Sequence, residues 1–225
     1  MFEQKSLQHH IQKYIIGILI HTKYARFRDL RPPKTDTNLF SYHLKVLMKE
    51  SWVDKVEQGY TLSKNGLAYV DRVSIEKLNI RSQPKIIAML LVQNSEGDVL
   101  VQKRSKQPYI DTWTLPYGKT HIDDVSIEVG AMRESSEKLH YSPAQVRHVG
   151  DAYIRVKTDG EILSTTLAHV FRFETDDIQA TESLQWIQPL KLSRLTLAPA
   201  VEDIVTRCFF GDEHFFEEYT HDWEY

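Results

Sequence analysis

AMRESSEKLHY, running from Ala131 to Tyr141, is the stretch on which the fold of the second part of the chain turns. Glu134, Glu137 and Lys138 stand at i, i+3 and i+4, so a helix here places all three on one face. Arg133 adds a cation beside them. Three carboxylates at those positions would hold Mg²⁺ against a diphosphate, but the third is an ammonium, which removes a ligand and adds like charge next to the metal. Three chemistries fit this face. Glu134 and Glu137 alone can bind Mg²⁺ weakly, since that ion often takes one or two carboxylates together with substrate oxygens; they would then act as the catalytic and metal-binding acids of a hydrolysis that uses the metal to offset phosphate charge and activate water. Alternatively, Glu134 and Lys138 form the favoured i, i+4 helix ion pair, worth about 0.2 to 0.5 kcal/mol when exposed, and the four charged residues are a structural network. In the third reading Lys138, with Arg104, Lys119 and Arg133, is a cationic clamp that binds a phosphorylated ligand without a metal.

Outward from that helix the pattern is of strands. KIIAMLLV (Lys85 to Val92) is a buried strand, QNSEGD turns it into a second, VLVQKRS, and TLPYGK leads into the helix. Residues 148–175 alternate as two strands about Asp159 and Gly160. LQWIQP and a closing helix, APAVEDIVTRCFF, follow. Strands, a helix, more strands and a terminal helix predict a mixed sheet sandwiched between helices.

TWTLPYGK placed just before MRESSEKLHY resembles the Nudix family, whose pattern is G-x5-E-x7-R-E-U-x-E-E-x-G-U with U aliphatic. The resemblance covers most of residues 84–210. Gly118 matches the leading glycine, Arg133 and Glu134 the R-E pair, and Glu137 the first of the paired glutamates. The departures are specific. Gly118 to Arg133 is one residue longer than the pattern, which leaves Asp124 as the early acid, out of register. Tyr117 stands for a glycine, Ser135 for the aliphatic residue, Lys138 for the second paired glutamate and His140 for the late glycine. The resemblance implies an α/β/α sandwich, Mg²⁺ and nucleoside diphosphate derivatives as ligands; the departures imply a degenerate site in which hydrolysis is weak or lost. Glu182, four residues before Trp186, is a candidate downstream acid, and Trp113 a candidate base-stacking ring or core residue. His121 reads as a surface residue, and none of the 10 histidines pairs with the cysteine at zinc spacing.

The first part of the chain has a different character. Ile11, Tyr14, Ile15, Ile18 and Leu19 repeat at helical spacing. ARFRDL (Ala25 to Leu30) reads as a second, short helix ended by Pro32 and Pro33. Asp36 or Thr37 can cap a third helix, NLFSYHLKVLMKE. On it Phe40, Leu44 and Leu47 form an apolar face, while Asn38, Ser41, Tyr42 and Lys45 form a polar one. Trp52 to Ser63 gives a hairpin about Gln58 and Gly59, and KNGLAYVDRV a closing helix. LFSYHLKVLMKESWV resembles the recognition helix and following strand of bacterial winged-helix repressors of the ArsR and MarR type, over roughly residues 8–75. By that resemblance Asn38, Ser41, Tyr42 and Lys45 meet base edges and phosphates in the DNA major groove, with Lys55 or Lys64 reaching the backbone near the wing.

Charge divides along the same line. Residues 1–83 carry 14 Lys+Arg against 8 Asp+Glu, a net +6; the remainder carries 14 against 23, a net −9. A basic first part and an acidic second suggest that only the first faces a polyanion. The single cysteine, Cys208, excludes an internal disulfide and predicts a reducing, cytoplasmic compartment. The apolar run YIIGILI (Tyr14 to Ile20) falls short of the roughly 20 residues of a membrane span, and no cleavage site follows it.

The expected organisation is a two-domain α+β chain: a winged helix-turn-helix over 1–75, a linker at 76–83, and a Nudix-like domain over 84–225 ending in an acidic, aromatic tail from Phe209. The pairing resembles Nudix-related transcriptional regulators and implies a homodimer on DNA whose second domain binds a nucleotide-type or phosphorylated effector. Two alternatives stand beside it, a Mg²⁺-dependent hydrolase of nucleoside diphosphate derivatives with an accessory winged helix, and a protein-binding adaptor.

Overall fold

Helical spacing of the early apolar residues builds α1 (His10–His21), which buries Ile11, Ile15, Ile16 and Leu19. The structure, a computed structural model, describes residues 7, 9–74, 79–80, 83–211 and 213–224. The chain divides into two compact units, 1–82 and 83–225.

In the first unit α2 (Thr37–Lys49) starts where Asp36 accepts hydrogen bonds from the amides of Asn38 and Leu39, at 2.8 and 3.0 Å. These satisfy two of the free donors of the first turn. Phe40, Leu44 and Leu47 of α2 pack with the α1 residues in one core. The antiparallel strands β1 (Val53–Val56) and β2 (Gly59–Leu62) follow as a hairpin, then α3 (Lys64–Val70), capped by the Ser63 hydroxyl. β3 (Val73–Ser74) pairs with β4 (Asn79–Ile80). β4 falls inside the expected linker, whose residues 76–78, 81 and 82 lie outside the described residues.

One expectation fails here. ARFRDL is a run of turns, not a helix. Ala25 and Tyr60 exchange both backbone hydrogen bonds, at 3.0 and 2.9 Å, so the segment begins as a bridge to β2. That pairing holds the chain extended at Ala25, and the single i to i−4 bond that remains, Leu30 to Arg26 at 3.3 Å, is too little to sustain a helix before Pro32 and Pro33.

The second unit is built on one mixed sheet. Its strands are β5 (Lys85–Gln93), β6 (Val99–Lys103), β7 (Trp113–Thr114), β8 (Tyr117–Lys119), β9 (Arg147–Thr158), β10 (Glu161–Glu174), β11 (Leu184–Ile187) and β12 (Phe215–Asp222). The order is β11-β6-β5-β10-β9-β12, with β7 on β6 and β8 on β5. The pairs β5/β10 and β9/β12 are parallel and the others antiparallel. α4 (Ile127–Leu139) covers one face, where Ala131 and Leu139 meet Leu90, Leu100, Phe171 and Phe173. α5 (Val201–Phe210) covers the other, where Ile204 and Val205 meet Leu91, Val101, Ala152 and Val170. β5 is central and covered on both sides, hence its continuous apolar run rather than an alternating one. A 3₁₀ turn at Pro189–Arg194 precedes α5.

The acidic, aromatic tail extends the sheet as β12, where Phe215 packs so closely over Gly150 that a Cβ there would stand 2.2 Å from its ring. Between β9 and β10 the register shifts: Val170 faces Gly150 but Phe171 faces His148, leaving Val149 as a β-bulge. Among the described residues, no helix is long and apolar enough to cross a membrane.

Candidate functional site

The charged face expected in AMRESSEKLHY lies on α4, whose first turn is capped by the Ser126 hydroxyl accepting from the Val129 amide at 3.2 Å. The helix ends at His140, in the left-handed region at φ 52°, a conformation that glycine adopts without cost.

Glu134 is the buried centre of this face, 4% exposed. Arg133 Nη1 donates to its Oε1 at 2.7 Å, and Lys138 Nζ stands 3.9 Å from its Oε2. Gly118 on β8 lies directly against the same carboxylate; a Cβ at 118 would overlap Oε2 at 1.6 Å. The glycine is required here by close approach. Glu137 points outward, its side chain 56% exposed, with a long 3.5 Å contact to Arg133 Nη1.

Arg133 has its donors committed within the protein. Nε and Nη2 reach the two oxygens of Asp124, each at 3.0 Å, and Nη2 also donates to the Lys119 carbonyl at 3.1 Å. The Arg133 hydrogen bond, supported by the His121 amide at 2.7 Å, lowers the Asp124 carboxyl to about 2. Asp124 foremost, and then Glu134, push the Arg133 guanidinium further up. Asp124 therefore meets Arg133 despite the additional residue between them.

The Mg²⁺ implied by the Nudix resemblance does not fit this arrangement. Such an ion needs carboxylate oxygens free to face it, whereas both oxygens of Glu134 already face cations and Lys138 occupies the third position of the face. Glu137 alone remains open.

Beside α4 lies a cleft of about 350 Å³ whose lining includes Lys103, Arg104, Lys106, Lys119 and Lys138. Among the described residues none of its lining is acidic. Arg104 is fixed by donating from Nε to the Pro108 carbonyl at 2.9 Å, from Nη2 to the Lys106 carbonyl at 3.2 Å, and from Nη1 to the Tyr117 hydroxyl. Lys103 has an exposed partner in Asp111 at 3.5 Å. Of the four clamp residues expected from sequence, the structure brings Arg104, Lys119 and Lys138 to one cleft and places Arg133 outside its lining. Lys103 and Lys106 complete the set; the basic run QKRSK at the end of β6 was the signal for them.

In the first unit Asn38, Tyr42 and Lys45 are exposed on α2, Tyr42 by 62%, and Ser41 is half-buried. They lie opposite the face that buries Phe40, Leu44 and Leu47. Lys55 on β1 and Lys64 at the start of α3 are exposed as well. Of the remaining candidates, Trp113 packs against the sheet core, while Glu182 and His121 are exposed.

The family model described as NUDIX domain matches residues 83–208. No curated protein matches the chain. Among solved structures, the chain is similar to the NUDIX domain of Shewanella oneidensis NrtR complexed with ADP ribose, at 14% identity over 64% of this chain and 96% of that one, with a TM-score of 0.49. It is similar to a MutT protein from Methanosarcina mazei Go1, at 24% identity over 58% of this chain and 96% of that one, TM-score 0.47. Shewanella oneidensis NrtR complexed with a 27mer DNA is 16% identical, over 56% of this chain and 59% of that one, TM-score 0.45.

Proposed function

The chain belongs to the NUDIX domain family, and from that premise we propose that it is a DNA-binding transcriptional regulator whose second unit binds a nucleotide-type, phosphorylated metabolite as effector, with hydrolysis weak or lost. The observation that carries this reading is the cleft beside α4, with five cationic residues and no acid in its described lining. Phosphate oxygens are satisfied there by charge-assisted hydrogen bonds from Lys119, Lys138 and their neighbours. Arg133 acts as a positioning residue: it fixes Glu134 and the Lys119 backbone, and Lys138 leans on Glu134 in turn. Hydrolysis of a diphosphate would require metal at this point, and the carboxylates that would hold it are occupied or incomplete.

The first unit supplies the DNA-binding half of the proposal, as a winged helix-turn-helix with α2 as recognition helix and β1/β2 as wing. The exposed polar face of α2, with Asn38, Ser41, Tyr42 and Lys45, supports this, as does the net +6 of residues 1–83. A homodimer would match a two-fold operator, and an effector that binds one arrangement of the dimer better than another would shift the spacing of its recognition helices.

The test is to incubate the full chain with Mg²⁺ and a panel of nucleoside diphosphate derivatives, reading both cleavage and thermal unfolding, and to repeat DNA binding with any compound that stabilises. Stabilisation without product, accompanied by a change in DNA affinity, is the expected result. Turnover on the order of 1 s⁻¹ or faster, ordinary for an enzyme, abolished by Glu134→Gln and Glu137→Gln, would instead make the protein a hydrolase.

A further inference from the structure

We propose that the sheet carries a second, separate site, for a Zn²⁺-like transition cation, formed by His148, Asp151, His169 and His214. Sequence spacing gives no hint of it, because its residues come from β9, β10 and the segment leading into β12. In a regular strand, residues three apart point to opposite faces. The Val149 bulge changes this: it takes up one position, so His148 and Asp151 emerge on the same face, the one covered by α4. His169 is the direct cross-strand partner of Asp151, and Phe171, two residues on, is the partner of His148.

The donors converge. His148 Nε2 and His169 Nδ1 both stand on one carboxylate oxygen, Oδ1 of Asp151, at 2.9 and 2.6 Å. His214 Nε2 approaches the other, Oδ2, at 3.9 Å, and its ring meets that of His148 edge-on at 4.8 Å. The ligand atoms of His148, Asp151 and His169 all lie within 4.8 Å of one another. A tetrahedral ion with bonds of about 2.0 to 2.2 Å separates its ligand atoms by about 3.5 Å, so side-chain adjustments of about 1 Å bring these three residues onto one ion, with His214 as the fourth side chain beside them. Imidazole and carboxylate together suit Zn²⁺ and its neighbours better than Mg²⁺.

The surroundings match this use. His148 stacks on Phe171 at 4.9 Å, which backs the site with an apolar ring. A cavity of about 160 Å³ lies beside His148 and His214, lined also by Arg147, Glu213 and Cys208. Bound there, the ion would tie the segment leading into β12 to β9 and β10. The arrangement is separate from the cleft beside α4, with which it shares no residue.

The experiment uses the full chain stripped of metal and titrated with ZnCl₂ by calorimetry, and with CoCl₂ by visible absorption. One equivalent of Zn²⁺ is expected to bind and raise the unfolding temperature, and Co²⁺ to give the intense visible bands of a tetrahedral nitrogen–oxygen site. His148→Gln and His169→Gln should each weaken Zn²⁺ by about tenfold or more. His214→Gln, at a half-exposed side chain whose loss leaves the core intact, should weaken it too and alter the Co²⁺ bands. Absence of Zn²⁺ binding overturns the proposal. So does binding unchanged by all three substitutions, which would assign the ion to another group of histidines, such as His9, His10 and His43.

Discussion

Arg133 grips Asp124 with two parallel donors, Nε to Oδ1 and Nη2 to Oδ2, each at 3.0 Å. The Asp124 side chain is 9% exposed, and this hydrogen bond, opposed by burial, brings its carboxyl from 3.8 down to about 2. A lowered folded-state pKa contributes stability that is fully present above the unfolded value and is lost as pH falls through the folded one. The contribution is on the order of 2 kcal/mol. The resistance of the second unit to urea is therefore expected to fall as pH drops from about 4 to about 2. Asp124→Asn should be less stable at neutral pH by a similar amount and show a shallower decline over that acid range.

Lys138 is the position at which the two uses of α4 part. Lys138→Glu takes a cation from the cleft and leaves Glu134 Oε2 facing a carboxylate. Losing one charge-assisted hydrogen bond should weaken a nucleoside diphosphate ligand by about tenfold or more in the absence of metal. The same variant regains the acid at i+4, so Mg²⁺ should now stabilise it and Mg²⁺-dependent hydrolysis should appear or rise. Ligand affinity equal to wild type would remove Lys138 from the clamp, and it is read by thermal shift and direct titration.

These effects show how far the sequence could be read. Glu134, Glu137 and Lys138 were legible because their relation is local to one helix and fixed by its pitch. The central strand β5 was legible from its unbroken apolar run, since covering both faces leaves no polar side to alternate. ARFRDL was not, because its conformation is set by a pairing with Tyr60, 35 positions on from Ala25, and local helix propensity yields to such tertiary contacts. The tail could not be placed as β12 for the same reason, as its partner β9 lies far back in the chain. His148, Asp151 and His169 converge only through a strand register and a bulge, neither of which leaves a periodic mark in the residues.

On α2, Tyr42 and Lys45 are exposed on the face away from Phe40, Leu44 and Leu47. If that face enters the major groove, the two residues have separable effects. Lys45→Ala should weaken DNA binding broadly and reduce the slope of log affinity against log salt by about 1, the mark of one phosphate contact. Tyr42→Ala should weaken specific sites more than random DNA if the ring meets base edges. Unchanged affinity at modest salt in both variants would remove α2 as the recognition helix. Fluorescence anisotropy over a salt series, against genomic fragments selected by the wild-type protein, makes the measurement.

Gly59 links the hairpin to the rest of the first unit. Its φ is +132°, outside the range that L side chains readily adopt, and a Cβ on it would stand 2.4 Å from the Ala25 carbonyl oxygen. That oxygen accepts the Tyr60 amide at 2.9 Å, so it cannot withdraw without breaking the bridge that replaces the expected helix. Gly59→Ala therefore meets backbone strain and a backbone collision together, at a cost on the order of 2 to 3 kcal/mol. The first unit should unfold at a lower temperature while the transition of the second unit, which contains neither residue, stays in place. Nucleotide-induced stabilisation of the second unit should then be retained as DNA affinity falls. A variant with both transitions unmoved would show that the hairpin tolerates a shifted register and that the Ala25 bridge does not hold it.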